Sequence, residues 1–283
     1  MKNKVKYSIA PLLVLVFCTI NCHILIGQNS SSISAKNLDS THYKVIKSKQ
    51  TFTFPIGEKI EDFGFKHFED VGDISSVTSI RLIGHSIYLA DQYHLNVKKI
   101  DLNTGELSVS KSLNRKSTYL TTIGYLNNQL YILTNFNTIY VLDLDLNYLR
   151  TIFLKDYLGP VFVGSETPDT LTILNMVNSY NNKAGDYCPI KMKIDKYDHC
   201  TLDSTEFNDE DFNSITEKSS GIIAPEITIN KKMYLQINKF LYEIPESVSD
   251  VNDYNCSNVD YSNNQIVFFT INKSKIVINV LNY

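Results

Sequence analysis

From Thr51 onward the chain alternates between short apolar runs, rich in Val, Ile, Leu, Tyr and Phe, and brief breaks of Asn, Asp, Gly and Ser. Runs of this kind predict strands, because β-branched and aromatic side chains suit a pleated surface while the polar breaks supply turns. TFTFPIG (51–57) alternates polar and apolar positions and predicts a strand ending near Pro55. No window sustains a period near 3.6 with capping residues, and EKIEDFGFKHF (58–68) alone is ambiguous between helix and loop.

Two stretches are copies of each other. SIYLADQYHLNVKKIDLNTGEL (86–107) aligns with QLYILTNFNTIYVLDLDLNYL (129–149) after one deletion, with Tyr88 matching Tyr131 at a spacing of 43 and Asp101 matching Asp143 at 42. Each copy reads as strand, polar loop, strand, acidic turn, strand. TLTILNMV (170–177) and IKMKIDKY (190–197) form a weaker copy, in which Asp195 takes the place of Asp143 and NSYNNKAGDYC (178–188) is an insertion. Hairpin-like units follow at 231–245 and 264–283.

A period in the low forties built from strands is the pattern of a β-propeller, in which each four-stranded blade has two apolar faces and neighbours cover both. Residues 51–283 hold about five and a half such units. The expectation is an all-β propeller of six blades, with five as the other count, and with TFTFPI completing the blade that the C-terminal strands begin. A β-sandwich is the competing architecture. Asp101, Asp143 and Asp195 sit at strand ends before turns, where a carboxylate bonds its own backbone, so a structural role is expected for all three.

The run IYLADQYHLNVKKIDLNTG (87–105), with LYILTNFNTIYVLDLD (130–145) as a looser copy, resembles the repeat of NHL-type and TolB-like propellers. The whole chain is similar to the exported six-bladed propeller proteins of bacteria. The likeness covers 75–200 best, and it departs from the NHL pattern where Thr134 stands in place of the Asp. It implies a fold and no particular activity, since this architecture hosts binding modules, scaffolds and unrelated enzymes.

The N-terminus changes the picture of where the protein works. Lys2, Lys4 and Lys6 precede an apolar run from Ile9 to Ile26, the layout of an export signal, and Gly27 offers a small residue for cleavage. Residues 1–27 are thus read as a signal peptide or N-terminal anchor, 28–50 as a flexible Ser/Asn/Lys-rich leader and 51–283 as the propeller. Lipidation at Cys22 is the lesser alternative, because Asn21 precedes it. The expected location is periplasmic, cell-surface or secreted, with membrane contact only through that segment. Net charge is −3 and falls further when the three lysines leave, which argues against nucleic acid as a partner. Cys188, Cys200 and Cys256 remain after cleavage, an odd number; the first two are too far apart across a hairpin to bond, and all three are read as small buried or half-buried residues.

Candidate chemistry is sparse. No nucleophile elbow, Walker loop, HExxH or EF-hand string occurs, and neither cofactor nor metal is expected. NDEDF (208–212) is read as a solvated acidic loop. The loop after the second strand of each unit is the best place for a ligand: Gln92, Tyr93, His94 and Asn96 occupy it in one copy, Asn135, Phe136 and Asn137 in the next. Tyr93 and Phe136 align, and neighbouring aromatics flanked by amides suit a carbohydrate, a peptide or a protein partner. Packing of those rings between blades is the structural alternative. The functional reading is a non-enzymatic binding module. The rivals are a metal-dependent hydrolase or lactonase with a metal in the channel, and a structural part of a cell-envelope assembly.

Overall fold

The computed structural model describes residues 43–44, 47–68, 73–113, 119–134, 138–154, 160–167, 169–178, 187–203, 226–229, 232–237, 240–244, 259–262, 264–271 and 273–283. The N-terminal segment read as a signal, Cys22, the acidic loop 208–212 and most of the 178–188 insertion lie outside these residues. Two compact units divide the chain: Met1–His42 with His67–Ile74, and Tyr43–Lys66 with Ser75–Tyr283.

Strands β1 (Tyr43–Lys44) and β2 (Ser48–Pro55) come first, and β3 (Lys66–Phe68) and β4 (Asp73–Ser75) form a two-stranded ribbon. Among the described residues of the second unit there are five four-stranded sheets. The first is β5 (Val77–Ile83), β6 (Ser86–Asp91), β7 (Asn96–Asp101) and β8 (Leu107–Val109), paired in chain order. The second is β9 (Leu120–Leu126), β10 (Gln129–Thr134), β11 (Thr138–Asp143) and β12 (Tyr148–Phe153), and the third is β13 (Pro160–Thr167), β14 (Thr170–Asn178), β15 (Tyr187–Asp195) and β16 (Cys200–Asp203). In the fourth, β17 (Glu226–Ile229), β18 (Lys232–Ile237) and β19 (Phe240–Ile244) receive β1 as a parallel outer strand. In the fifth, β20 (Val259–Ser262), β21 (Gln265–Ile271) and β22 (Lys275–Asn282) receive β2, antiparallel from Ser48↔Asn282 to Pro55↔Lys275.

Chain-order antiparallel sheets whose first strands lie side by side make this a β-propeller: β20 touches β5, β5 touches β9 and β9 touches β13. The contacts are specific. The Leu82 amide donates to Asp260 Oδ2 at 2.6 Å, and the Ile123 amide donates to Ser79 Oγ at 3.2 Å. Where the sequence reading put six blades first and five second, the described residues form five four-stranded sheets. Strand pairing also begins earlier than the leader reading placed it, at Tyr43 rather than Thr51.

Alternate side chains of one strand enter different cores, which explains the near-continuous apolar runs. Ile87 and Leu89 of β6 pack with Val267, Phe269 and Ile278 of the fifth sheet. Tyr88 and Ala90 of the same strand pack with Leu130, Ile132 and Leu142 of the second sheet. In β10 the pattern repeats: Leu130 and Ile132 face the first sheet, while Tyr131 and Leu133 join Leu171 and Ile194 of the third. Each fully buried aliphatic side chain contributes about 1.5–3 kcal/mol, so a sheet left without a neighbour loses several such terms together.

The repeated aspartates are turn builders. Asp101 Oδ1 accepts from the amides of Asn103 and Thr104, Asp143 Oδ1 from those of Asp145 and Asn147, and Asp195 Oδ1 from those of Tyr197 and His199. The turns also latch neighbouring sheets. Tyr88 Oη donates to the Leu144 carbonyl at 3.0 Å, joined there by Lys99 Nζ at 2.9 Å. Its repeat mate Tyr131 reaches Asp198 at 3.3 Å, which also takes Arg150 Nη2 at 2.7 Å. Burial pushes the Tyr88 phenol up to about 12.

Segment 58–68, ambiguous in sequence, is a turn followed by β3. It is fixed by a bridge between Ile56 and Phe63, and by Gly57 N–H to the Phe63 carbonyl at 3.0 Å. Ile194 pairs with Cys200 and Lys191 with Asp203, so the register carries the position facing Cys188 beyond Cys200, as the hairpin reading of the two cysteines requires. Cys200 is a free, exposed thiol, a correction to the buried or half-buried reading: it opens the short outer strand β16, which has no further strand beyond it among the described residues.

Candidate functional site

The loop between β6 and β7 is organised by one buried carboxylate at the end of β6. Asp91 Oδ1 accepts from the amides of Tyr93 (3.1 Å) and His94 (3.2 Å), folding the chain back on itself and leaving Leu95 at φ 51°. Asp91 Oδ2 takes three donors from other directions: Gly64 N–H at 3.0 Å, His94 Nδ1 at 2.9 Å and Lys98 Nζ at 3.1 Å. Leu89 faces Lys98 across the β6–β7 ladder and Asp91 faces Asn96, which places Lys98 on the same strand face as Asn96 and within reach of the carboxylate.

Lys98 is completely buried. Its ammonium has three protons and three acceptors: Asp91, Asn96 Oδ1 at 3.1 Å and the Ile60 carbonyl at 2.8 Å. The Phe63 ring lies 5.3 Å from the nitrogen. Burial lowers the Lys98 pKa, and the attraction of Asp91 opposes that without reversing it. For Asp91 the balance goes the other way. Burial pushes its carboxyl up, but the His94 bond, the Lys98 charge and the Gly64 amide together hold it below the usual carboxylate value.

The segment Ile56–Phe65 closes this arrangement from above. Tyr93 lies against Gly64, where an added Cβ would come within 2.2 Å of the Tyr93 Cβ, so glycine is required by close approach rather than by its dihedrals. Tyr93 Oη donates to Glu58 Oε2, and the His94 ring meets the Tyr93 ring edge-on at 4.9 Å. Gln92 ties the loop sideways: its amide donates to the Ser76 carbonyl, and its Oε1 accepts from the Leu120 amide of β9.

Of the sequence-predicted residues, Tyr93 and His94 therefore lie together in one network, and Gln92 and Asn96 belong to it. Asn135, Phe136 and Asn137 lie outside the described residues. His94 is 8% exposed, with Nδ1 committed to Asp91; among the described residues its Nε2, like Asn96 Nδ2, has no hydrogen-bond partner. The position aligned with Asp91 in the second copy, Thr134, bonds its own loop instead, its Oγ1 donating to the Thr138 carbonyl at 2.9 Å. The residues that sequence reasoning missed are Asp91, Lys98, Glu58 and Gly64. A lysine in an otherwise buried strand, NVKKID, was the available signal for Lys98. Glu58 and Gly64 carry no such signal, because they arrive from a separate segment.

Among the described residues no group of three or more His, Cys, Asp and Glu side chains converges in a way that would hold a metal ion. What the arrangement does is hold a surface loop at fixed geometry through a saturated ionic centre.

The class these sheets define is a β-propeller. No family model matches the chain, and no curated protein matches it. Among solved structures it is similar to virginiamycin B lyase from Staphylococcus aureus, at 12% identity and TM-score 0.39 over 78% of this chain and 81% of that one. It is also similar to a luciferin-regenerating enzyme, at 6% identity and TM-score 0.44 over 78% and 97%. A Bacteroides fragilis protein assigned to the exported class matches at 10% identity and TM-score 0.40 over 85% and 77%. Likeness at this level carries nothing about activity, and the propeller assignment stands on the strand pairing described above.

Proposed function

We propose that this protein is an exported, non-enzymatic binding module of the NHL-like propeller kind, which displays the β6–β7 loop and its aligned neighbour to a carbohydrate, peptide or protein ligand. The observation that carries the reading is the Asp91 centre. A loop whose carboxylate takes two backbone amides on one oxygen and three further donors on the other is already ordered. Docking on it therefore costs little additional conformational entropy. Export rests on the basic start and the apolar run Ile9–Ile26.

Binding is expected to involve Tyr93 and His94 of one loop and Asn135, Phe136 and Asn137 of the next. Glycan and peptide arrays probed with the full chain identify the ligand class, and titration calorimetry of Tyr93→Ala/Phe136→Ala tests the face. The expected result is an unchanged circular dichroism spectrum with affinity lower by about tenfold, which corresponds to about 1.4 kcal/mol. Unchanged affinity in that double variant rejects this face.

A further inference from the structure

The Asp91 centre is completed by groups that all come from one segment, Ile56–Phe65. Gly64 N–H donates to Asp91 Oδ2 at 3.0 Å, and the Ile60 carbonyl accepts from Lys98 Nζ at 2.8 Å. The Phe63 ring lies 5.3 Å from the same nitrogen, and Glu58 accepts from Tyr93 Oη. Residues 58–61 of this segment are exposed. Its fastenings at the other end are the Ile56–Phe63 bridge, the Gly57 amide on the Phe63 carbonyl and the Phe63 amide on the Pro55 carbonyl. The last of these ties it to β2.

No linker separates the two. β2 ends at Pro55, and the Ile56 amide continues the β2–β22 ladder by donating to the Ser274 carbonyl at 3.1 Å. The Phe54 and Phe63 rings lie 5.5 Å apart, and Phe52, Phe54 and Ile56 pack on the core to which Phe63 belongs. β2 itself is lightly held. It is the outer strand of the fifth sheet, with no strand beyond it among the described residues, and of its residues only Phe52 and Phe54 are half-buried while the rest are exposed. Few buried apolar contacts and an exposed ladder place a strand at the low-stability end of a fold. When β2 leaves β22, Phe54 leaves Phe63, and the groups that seal Lys98 and cap Asp91 lose their anchor.

We infer that β2 and Ile56–Phe65 act as one clasp, which opens and closes as a unit and sets the order of the β6–β7 loop. The loop is rigid while β2 is seated on β22 and loosens when it is released. The consequence for ligands rests on the binding role proposed above. Linkage between two sites is reciprocal, so a ligand held by the ordered loop tightens the seating of β2 by the same factor.

Native-state hydrogen exchange of the full chain, read by mass spectrometry in sub-denaturing urea, tests the coupling without any ligand. Amides of 48–56, Gly64 and 92–98 are expected to exchange through one opening with a common urea dependence, ahead of β10 and β11. Gln50→Pro perturbs the clasp at its far end. Gln50 faces Val280 and lies an even number of residues from Ile56, so its amide points toward β22, while its side chain reaches the Leu102 carbonyl rather than the Asp91 centre. Loss of that ladder bond is expected to speed exchange at 92–98 about tenfold, with β10 and β11 unchanged. Phe52→Ala, which removes a ring from the same strand, is expected to act alike and carries the test if the proline variant does not fold. Faster exchange confined to 48–56, with 92–98 unmoved, overturns the proposal. Loss of protection at 92–98 while β2 stays closed overturns it too. Unchanged ligand affinity in Tyr93→Ala/Phe136→Ala leaves these exchange results as they are, so the binding face and the clasp fall separately.

Discussion

Replacing Asp91 with Asn keeps the size of the side chain and alters only its charge and one set of donors. Oδ1 still accepts from Tyr93 and His94, but the atom in place of Oδ2 becomes an NH₂ facing Gly64 N–H, His94 Nδ1 and Lys98 Nζ. Lys98 is left as a fully buried cation with two neutral acceptors, Asn96 and the Ile60 carbonyl. Breaking a buried pair from one side costs about 3–5 kcal/mol, because the remaining charge is uncompensated. Lys98→Met alone spares the loop's backbone hydrogen bonds but leaves the carboxylate without its cation, at a cost of the same order. The double variant is expected to lose less than the two single losses added together, with a coupling of about 1–3 kcal/mol. The chain has no Trp and 18 Tyr, so urea unfolding is best followed by far-UV circular dichroism together with tyrosine fluorescence. The sign with pH is also set. The folded Asp91 carboxyl sits below its unfolded value, so its contribution is present above about pH 4 and disappears as pH falls through the lower folded value. Asp91→Asn should flatten that acid limb. A loss under about 1 kcal/mol, or strict additivity with Lys98→Met, refutes the account of a charge-compensated centre.

Tyr88→Phe removes one hydrogen bond to the Leu144 carbonyl, which Lys99 still occupies; the expected loss is about 0.5–1.5 kcal/mol by urea unfolding, and alkaline titration should show one fewer late-ionising phenol. For Asp143, burial raises the carboxyl pKa, but the Asn147 side chain and the amides of Asn147 and Asp145 outweigh it and hold it low. Its stabilisation is therefore complete above about pH 4 and lost below, and Asp143→Asn should raise the fraction of Tm retained between about pH 4 and pH 2, read from thermal melts across pH.

The strands, the repeat and the aspartate turns were legible in the chain itself because they are local. Tyr88 and Tyr131 recur because each reaches the next sheet's turn, and Asp101, Asp143 and Asp195 recur because each bonds amides within four residues of itself. The half-unit left over by the repeat length also pointed to TFTFPI as the strand that completes the last sheet, where β2 lies against β22. A loop rich in aromatics and amides was equally visible, but its inner structure was not. Nothing local in the sequence sets Asp91 apart from other strand-end aspartates, or Lys98 from the adjacent Lys99. Only the fold could separate Lys98, sealed against Phe63 and Ile60, from Lys99, which reaches the neighbouring sheet's turn. Periodicity records which side chains a strand buries, since alternation is written residue by residue. It does not record which distant segment arrives to satisfy a buried charge, because that partner is chosen by the packing of whole sheets.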